Sequence, residues 1–252
     1  MKYTWDDITL AKYLHLHPII HNEWSDIDKF KEIVYILTGK YEKVNEWSEQ
    51  QIKDYEFLFN FDCKREIKEN FTINGRFYRI NKDSELMKAA RYIEVKTFYQ
   101  NDFITNIDKI IASMVVPQKR KLCLNIRKCK YIDLPYNSME HSKYTSDMLD
   151  LPFIFAYNLG VYFLRIINMI DSKYPVLFDQ VIEKEPNESG IEYIFNRYYG
   201  WIYSATQVAE HERITLDQAF ELPVLQFLND LAYLKMFKKL EAKQMEDIRL
   251  KK

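Results

Sequence analysis

Glycine is scarce in this chain, five residues in 252, and proline adds only seven. So few residues able to take a positive φ or to break a helix leave little material for an all-β sandwich with its many tight turns, and favour a mainly helical fold. The same scarcity removes the familiar phosphate cradles and nucleophile elbows. No Gly-x-Gly-x-x-Gly, Gly-x-x-x-x-Gly-Lys-Ser/Thr or Gly-x-Ser-x-Gly occurs, and no catalytic residue is assigned from such loops. Cysteine is scarce as well. Cys63, Cys123 and Cys129 are odd in number and form no Cys-x-x-Cys pair, which fits neither a disulfide framework nor a four-cysteine zinc site.

An excess of one charge is also missing: 36 Lys plus Arg face 37 Asp plus Glu, so the chain as a whole gives no argument for nucleic acid or an anionic membrane. Asp6 and Asp7 stand where a secretory signal needs an apolar run, and the expectation is a protein made and kept in the cytoplasm. The sequons at Asn70 and Asn187 are then coincidental. What is abundant is aromatic area, 19 Tyr and 16 Phe in a chain that is 47% hydrophobic, enough for a sizeable core and for contact surfaces.

Periodicity predicts helices near Thr9 to His17, Asp26 to Thr38 and Glu49 to Asn60. Ser25 caps the second with Asp28 three residues on, Gly39 stops it, and Ser48 with Gln51 forms a capping box for the third. Asn74-Gly75 between strand-prone residues predicts a β-hairpin over about 70–80. Helical spacing returns from Glu85 to about Tyr99 and from Ile104 to Met114, ending before Pro117. Leu122, Leu124 and Ile126 alternate with polar residues, a short strand over about 121–127.

From Thr145 the chain reads as helix. Leu151 to Ile170 is its most apolar run, but Pro152, Asn158, Gly160, Arg165 and Asn168 lie within it, so a core helix is expected and no stable membrane span. Pro175 starts a further helix to about Glu183, and an apolar stripe from Ile191 to Val208 marks another. Thr215 with Gln218 forms a capping box, and Pro223 suits the first turn of a closing helix to about Met245. The organisation expected is a helical module at 1–68, a hairpin, helix and strand region at 69–135, and a second helical module at 136–252, or these three as one continuous domain. Asp150-Leu151-Pro152 and Glu221-Leu222-Pro223 echo each other, as do Ile8-Thr9-Leu10 and Ile214-Thr215-Leu216. No fixed period connects them, and a shared way of starting a helix after an extended residue accounts for the echo.

His15, His17, His21 and Glu23 are the densest group of metal-ligand types, yet Pro18 interrupts the helical spacing of His17 and His21; no metal or other cofactor is assigned. Lys119, Arg120, Lys121, Arg127, Lys128 and Lys130 are a local run of positive charge with no acid among them. They read as a solvated strand or loop, a subunit contact, or a patch for the phosphate backbone of nucleic acid. Trp201, Leu222, Pro223 and Phe227 read as packing residues, Trp201→Ala costing roughly 3–5 kcal/mol if the ring is buried.

Short segments in a common order resemble proteins of the structural gene clusters of tailed bacteriophages infecting gut Bacteroidetes, including the crAss-like phages. Ile8 to Leu14, Ile36 to Gly39 and Trp47-Ser48 resemble the opening of their tail-assembly-chaperone-like proteins. Ala90 to Glu94, Phe98, Ile107 to Ala112 and Pro117 resemble the middle, and Tyr199-Gly200-Trp201, Leu222-Pro223, Phe227-Leu228 and Tyr233-Leu234-Lys235 the end. The resemblance implies a non-enzymatic virion protein. It would be a homo-oligomeric ring or connector subunit of the neck or tail, joining portal to tail proteins, with the basic run facing DNA or a neighbour. It leaves open an assembly chaperone absent from the finished virion and a membrane-active ejection protein.

Overall fold

The computed structural model describes residues 5–23, 25–39, 67, 69–81, 87–121, 131–134, 141–178 and 190–250. The protein is mainly α with one small antiparallel sheet. Its helices are α1 (Leu10–Ile20), α2 (Asp26–Thr38), α3 (Ala89–Asn101), α4 (Ile107–Met114), α5 (His141–Leu149), α6 (Phe153–Asp171), α7 (Pro175–Phe178), α8 (Ile191–Glu212), α9 (Leu216–Glu221) and α10 (Val224–Leu250). The strands β1 (Asn70–Ile73), β2 (Arg76–Ile80), β3 (Val115–Arg120) and β4 (Tyr131–Asp133) pair in that order. The chain divides into two compact units, one of residues 1–81 and 97–163, the other of residues 82–96 and 164–252.

In the first unit the hairpin forms for the reason its sequence suggests. Asn74 (φ 49°) and Gly75 (φ 73°) both sit in the left-handed region, as a type I′ turn demands. β3 follows α4 without a loop and pairs Val116 with Arg79 and Pro117 with Tyr78. Proline is tolerated there because its backbone edge meets the end of β4, where the Pro117 carbonyl accepts from the Leu134 N–H at 2.8 Å and the missing donor leaves little ladder unmade. The strand expected over about 121–127 lies outside the described residues except for Lys121, which follows β3 and belongs to no element; the helix expected over Glu49 to Asn60 also lies outside them. α1 continues through Pro18 to Ile20, further than expected, since a proline one turn from a helix end deletes a single intrahelical bond. The core gathers Ile8, Leu10, Leu16, Ile33, Tyr78, Ile107, Ile110 and Phe153, and the Tyr13 ring stacks on Phe153 with centroids 3.5 Å apart.

The second unit is helical, built on Ala205, Val208, Ala219, Val224, Phe227 and Leu228. Thr215 and Gln218 close the capping box, each side chain accepting from the other's backbone N–H. The Tyr174 hydroxyl donates to the Leu225 carbonyl at 3.0 Å, fixing the loop before α7 against α10.

The two Leu-Pro junctions do the same job in each unit. In the first, the Leu10 N–H donates to the Leu151 carbonyl at 2.8 Å and the Phe153 N–H to the Ile8 carbonyl at 2.7 Å. In the second, the Ala89 N–H donates to Leu222 at 2.9 Å and the Val224 N–H to Met87 at 2.7 Å. Each donor is the first residue of a helix, whose N–H has no intrahelical partner. Each Leu is held extended by the proline after it, which turns its carbonyl toward the neighbouring helix start. The prolines thus stand one residue before their helices, their carbonyls accepting from Ala156 and Phe227 at 3.0 Å, rather than in the first turn as expected for Pro223. The partner segments also agree, Leu10-Ala11-Lys12-Tyr13 with Ala89-Ala90-Arg91-Tyr92. The echo of Ile8-Thr9-Leu10 at Ile214-Thr215-Leu216 is instead a shared cap: Thr9 and Thr215 hold nearly equal dihedrals and accept from the N–H three residues on.

Candidate functional site

Among the described residues, three polar groupings are built on the fully buried residues Tyr78, Tyr92 and Ser113. At the hairpin, Asp147 on α5 has a side chain only 6% exposed and accepts from Arg76 Nη1 at 2.5 Å, from Asn74 Nδ2 at 3.2 Å and from the buried Tyr78 hydroxyl. Asn74 also donates to Asp150 at 2.8 Å. Burial, and then the Asp147 carboxylate beside it, push the Tyr78 hydroxyl well above its ordinary value. In the second unit Asp171 accepts from the Tyr92 hydroxyl and from Lys96, each at 2.5 Å, and Lys96 lies 4.9 Å from the Phe178 ring centroid. Tyr92 is pushed upward by the same causes in the same order. Each grouping satisfies its carboxylate, buried at Asp147 and half-buried at Asp171, so both act as ties between elements.

Ser113 and His141 form the third. The Ser113 hydroxyl donates to the Lys109 carbonyl at 2.9 Å, so at 3.0 Å it accepts from His141 Nε2. His141 Nδ1 faces Thr145, and its ring stacks on Phe98. A nucleophile-and-base pair needs its base oriented by a third group and its hydroxyl reachable by substrate. Here Nδ1 meets a hydroxyl and Ser113 is fully buried, which makes the pair a link between α4 and α5.

The predicted residues are placed as follows. Lys119 and Arg120 close β3 and Lys121 follows, all exposed; Arg127, Lys128 and Lys130 lie outside the described residues. Trp201 is half-buried and meets Tyr92 edge-on, centroids 5.8 Å apart. Phe227 is fully buried, Leu222 half-buried and Pro223 exposed in its bridge to Lys88. His17 and His21 come together with ring centroids 4.6 Å apart, and His17 is pushed down by burial and then by its neighbour's charge. α6 is long and apolar enough to cross a membrane by length and composition, with half of its apolar window buried inside the protein.

Among the described residues, exposed large hydrophobic side chains concentrate on α8 and α10. Fourteen of the twenty exposed large hydrophobic side chains among the described residues lie on these two helices. On α8 they are Ile191, Ile194, Phe195, Tyr198, Tyr199, Ile202 and Tyr203; on α10, Tyr233, Met236, Phe237, Leu240, Met245, Ile248 and Leu250. The helices meet where Lys238 lies over the Tyr203 ring and His211 against Tyr233, and the apolar residues continue beyond those contacts. Side chains of this size left about half exposed amount to roughly 1,000–1,500 Å² of exposed side-chain area in total over the two helices. Periodicity marked the α8 stripe but could not show which side of it faces solvent.

Comparison with family models, curated proteins and solved structures finds no match.

Proposed function

We propose that this protein is a non-enzymatic structural subunit that self-associates through α8 and α10, and that it serves as a ring or connector protein in the neck or tail of a tailed bacteriophage. The single observation carrying self-association is the concentration of exposed apolar side chains on these two helices. An area of that order reaches the ~800 Å² per partner of a standard interface, and Tyr, Phe and Met are the residue types enriched in such contacts. Charge favours a second copy of this chain as the occupant. Among the apolar positions of α10 stand Lys238, Lys239, Lys243 and Arg249 with Glu241, Glu246 and Asp247, both signs on one helix, able to pair with another copy in a heterologous ring contact. The virion address rests on the ordered resemblance of Ile8 to Leu14, Ile107 to Ala112 and Leu222-Pro223 to phage structural proteins.

Mass spectrometry of purified particles tests the address. A structural subunit is recovered in stoichiometric amounts with portal and tail proteins. A chain present during assembly and missing from finished particles would instead identify a chaperone whose apolar face covers a client.

A further inference from the structure

The end of α8 brings together side chains that sequence spacing does not connect. His211 and Glu212 lie in its last turn, and Asp230 lies on α10, two helices later. One ligand atom from each lies within 4.8 Å of the other two. Asp230 Oδ2 is buried and has no hydrogen-bond partner, an expensive state for a carboxylate oxygen. We propose that His211, Glu212 and Asp230 form a binding site for a divalent first-row transition-metal ion of the Zn²⁺ class, fastening the end of α8 to α10.

The donor set suits that class. An imidazole nitrogen with two carboxylates favours Zn²⁺, Co²⁺ or Mn²⁺ over Mg²⁺ and Ca²⁺, which take oxygen alone. Three atoms within 4.8 Å of one another surround a point at most about 2.8 Å from each (4.8/√3), and the ~2.1 Å of Zn–N and Zn–O bonds is reached by inward shifts of at most about 0.7 Å. Water fills the fourth position, since His211 and Glu212 are exposed. The location adds to the attraction: the negative end of the α8 dipole lies here, where Arg213 turns the chain in the left-handed conformation. Because Glu212 and Asp230, 18 residues apart, meet only in the folded chain, the free energy of binding the ion adds to the stability of the fold.

Calorimetric titration of the full chain with Zn²⁺ tests the site, with Co²⁺ as the spectroscopic probe. The expected result is one ion per chain, an affinity falling by more than about tenfold in Asp230→Asn and in Glu212→Gln, and a Co²⁺ spectrum with d–d bands and no strong near-ultraviolet thiolate absorption. His17→Ala leaves the titration unchanged, separating this site from the His17–His21 pair. Glu212 is exposed at a helix end, so Glu212→Gln keeps its fold and carries the test alone should Asp230→Asn not fold. Absence of Zn²⁺ binding, affinity unchanged in Glu212→Gln, or a thiolate spectrum from Cys63, Cys123 or Cys129 would overturn the assignment.

Discussion

Removing the Asp147 carboxylate probes how the hairpin is held to α5. Asp147→Ala leaves three donors behind, and their exposure decides the cost. Tyr78 is fully buried, so its hydroxyl loses its acceptor in a place water does not reach, about 1–3 kcal/mol. Arg76 has a side chain 39% exposed and can turn to solvent, which limits its share to at most about 1 kcal/mol. Asn74 is exposed and keeps Asp150 as a partner, adding only a few tenths. The sum is about 1–4 kcal/mol, a Tm decrease of roughly 2–16 °C for a chain of this length. Tyr78→Phe alone removes the donor and leaves Asp147 Oδ2 with Arg76 as its partner, a cost of about 1 kcal/mol. In its background Asp147→Ala should cost at least about 1 kcal/mol less than in the native chain, because no buried hydroxyl is orphaned. Urea unfolding followed by circular dichroism measures all four corners of the cycle. Additive costs, or an Asp147→Ala penalty below about 1 kcal/mol, would refute the claim that a buried hydroxyl depends on this carboxylate.

Two further outcomes follow from the same geometry. Tyr78, Tyr92, Tyr13 and Tyr174 are all pushed upward, with burial the largest cause, so the folded chain keeps protons that the unfolded chain releases above about pH 10; stability is full below that pH and falls as pH rises through it. Alkaline titration by tyrosinate absorbance should therefore show a late-titrating fraction that merges with the rest on unfolding, and simultaneous titration of every tyrosine would contradict the assignment. Trp201 is half-buried against Tyr92, so Trp201→Ala should cost about 1–3 kcal/mol, less than the figure for a fully buried ring, as measured by chemical denaturation.

Local chemistry made part of this fold legible. Asn74-Gly75, the Ser25 cap, Gly39 and the Thr215–Gln218 box act within four residues of themselves, and each occupies the conformation its side chain favours. Long-range pairing was hidden. β3 is recruited beside β2 from more than thirty residues away, and its Pro117 read as the end of a helix because nothing local shows that a strand waits there. The two units interleave, with residues 82–96 belonging to the later unit and 97–163 to the earlier, an arrangement that composition cannot reveal because it divides a chain only at successive positions. The Leu-Pro echo was visible, but its meaning lay in the partners at Ile8 to Leu10 and Met87 to Ala89, which only the bridge hydrogen bonds connect. Asp147 with Tyr78 and Asp230 with His211 are likewise tertiary meetings of residues that are unremarkable in isolation.

The most direct test of self-association through α8 and α10 is the native mass of the purified full chain, beside that of Tyr198→Glu. Tyr198 is 67% exposed on the apolar face of α8, where a carboxylate should leave the fold intact and oppose burial of the surface. The account predicts a closed oligomer of defined copy number for the native chain and a monomer for the variant. A native chain that stays monomeric at every concentration, or a variant that assembles as the native chain does, would contradict it.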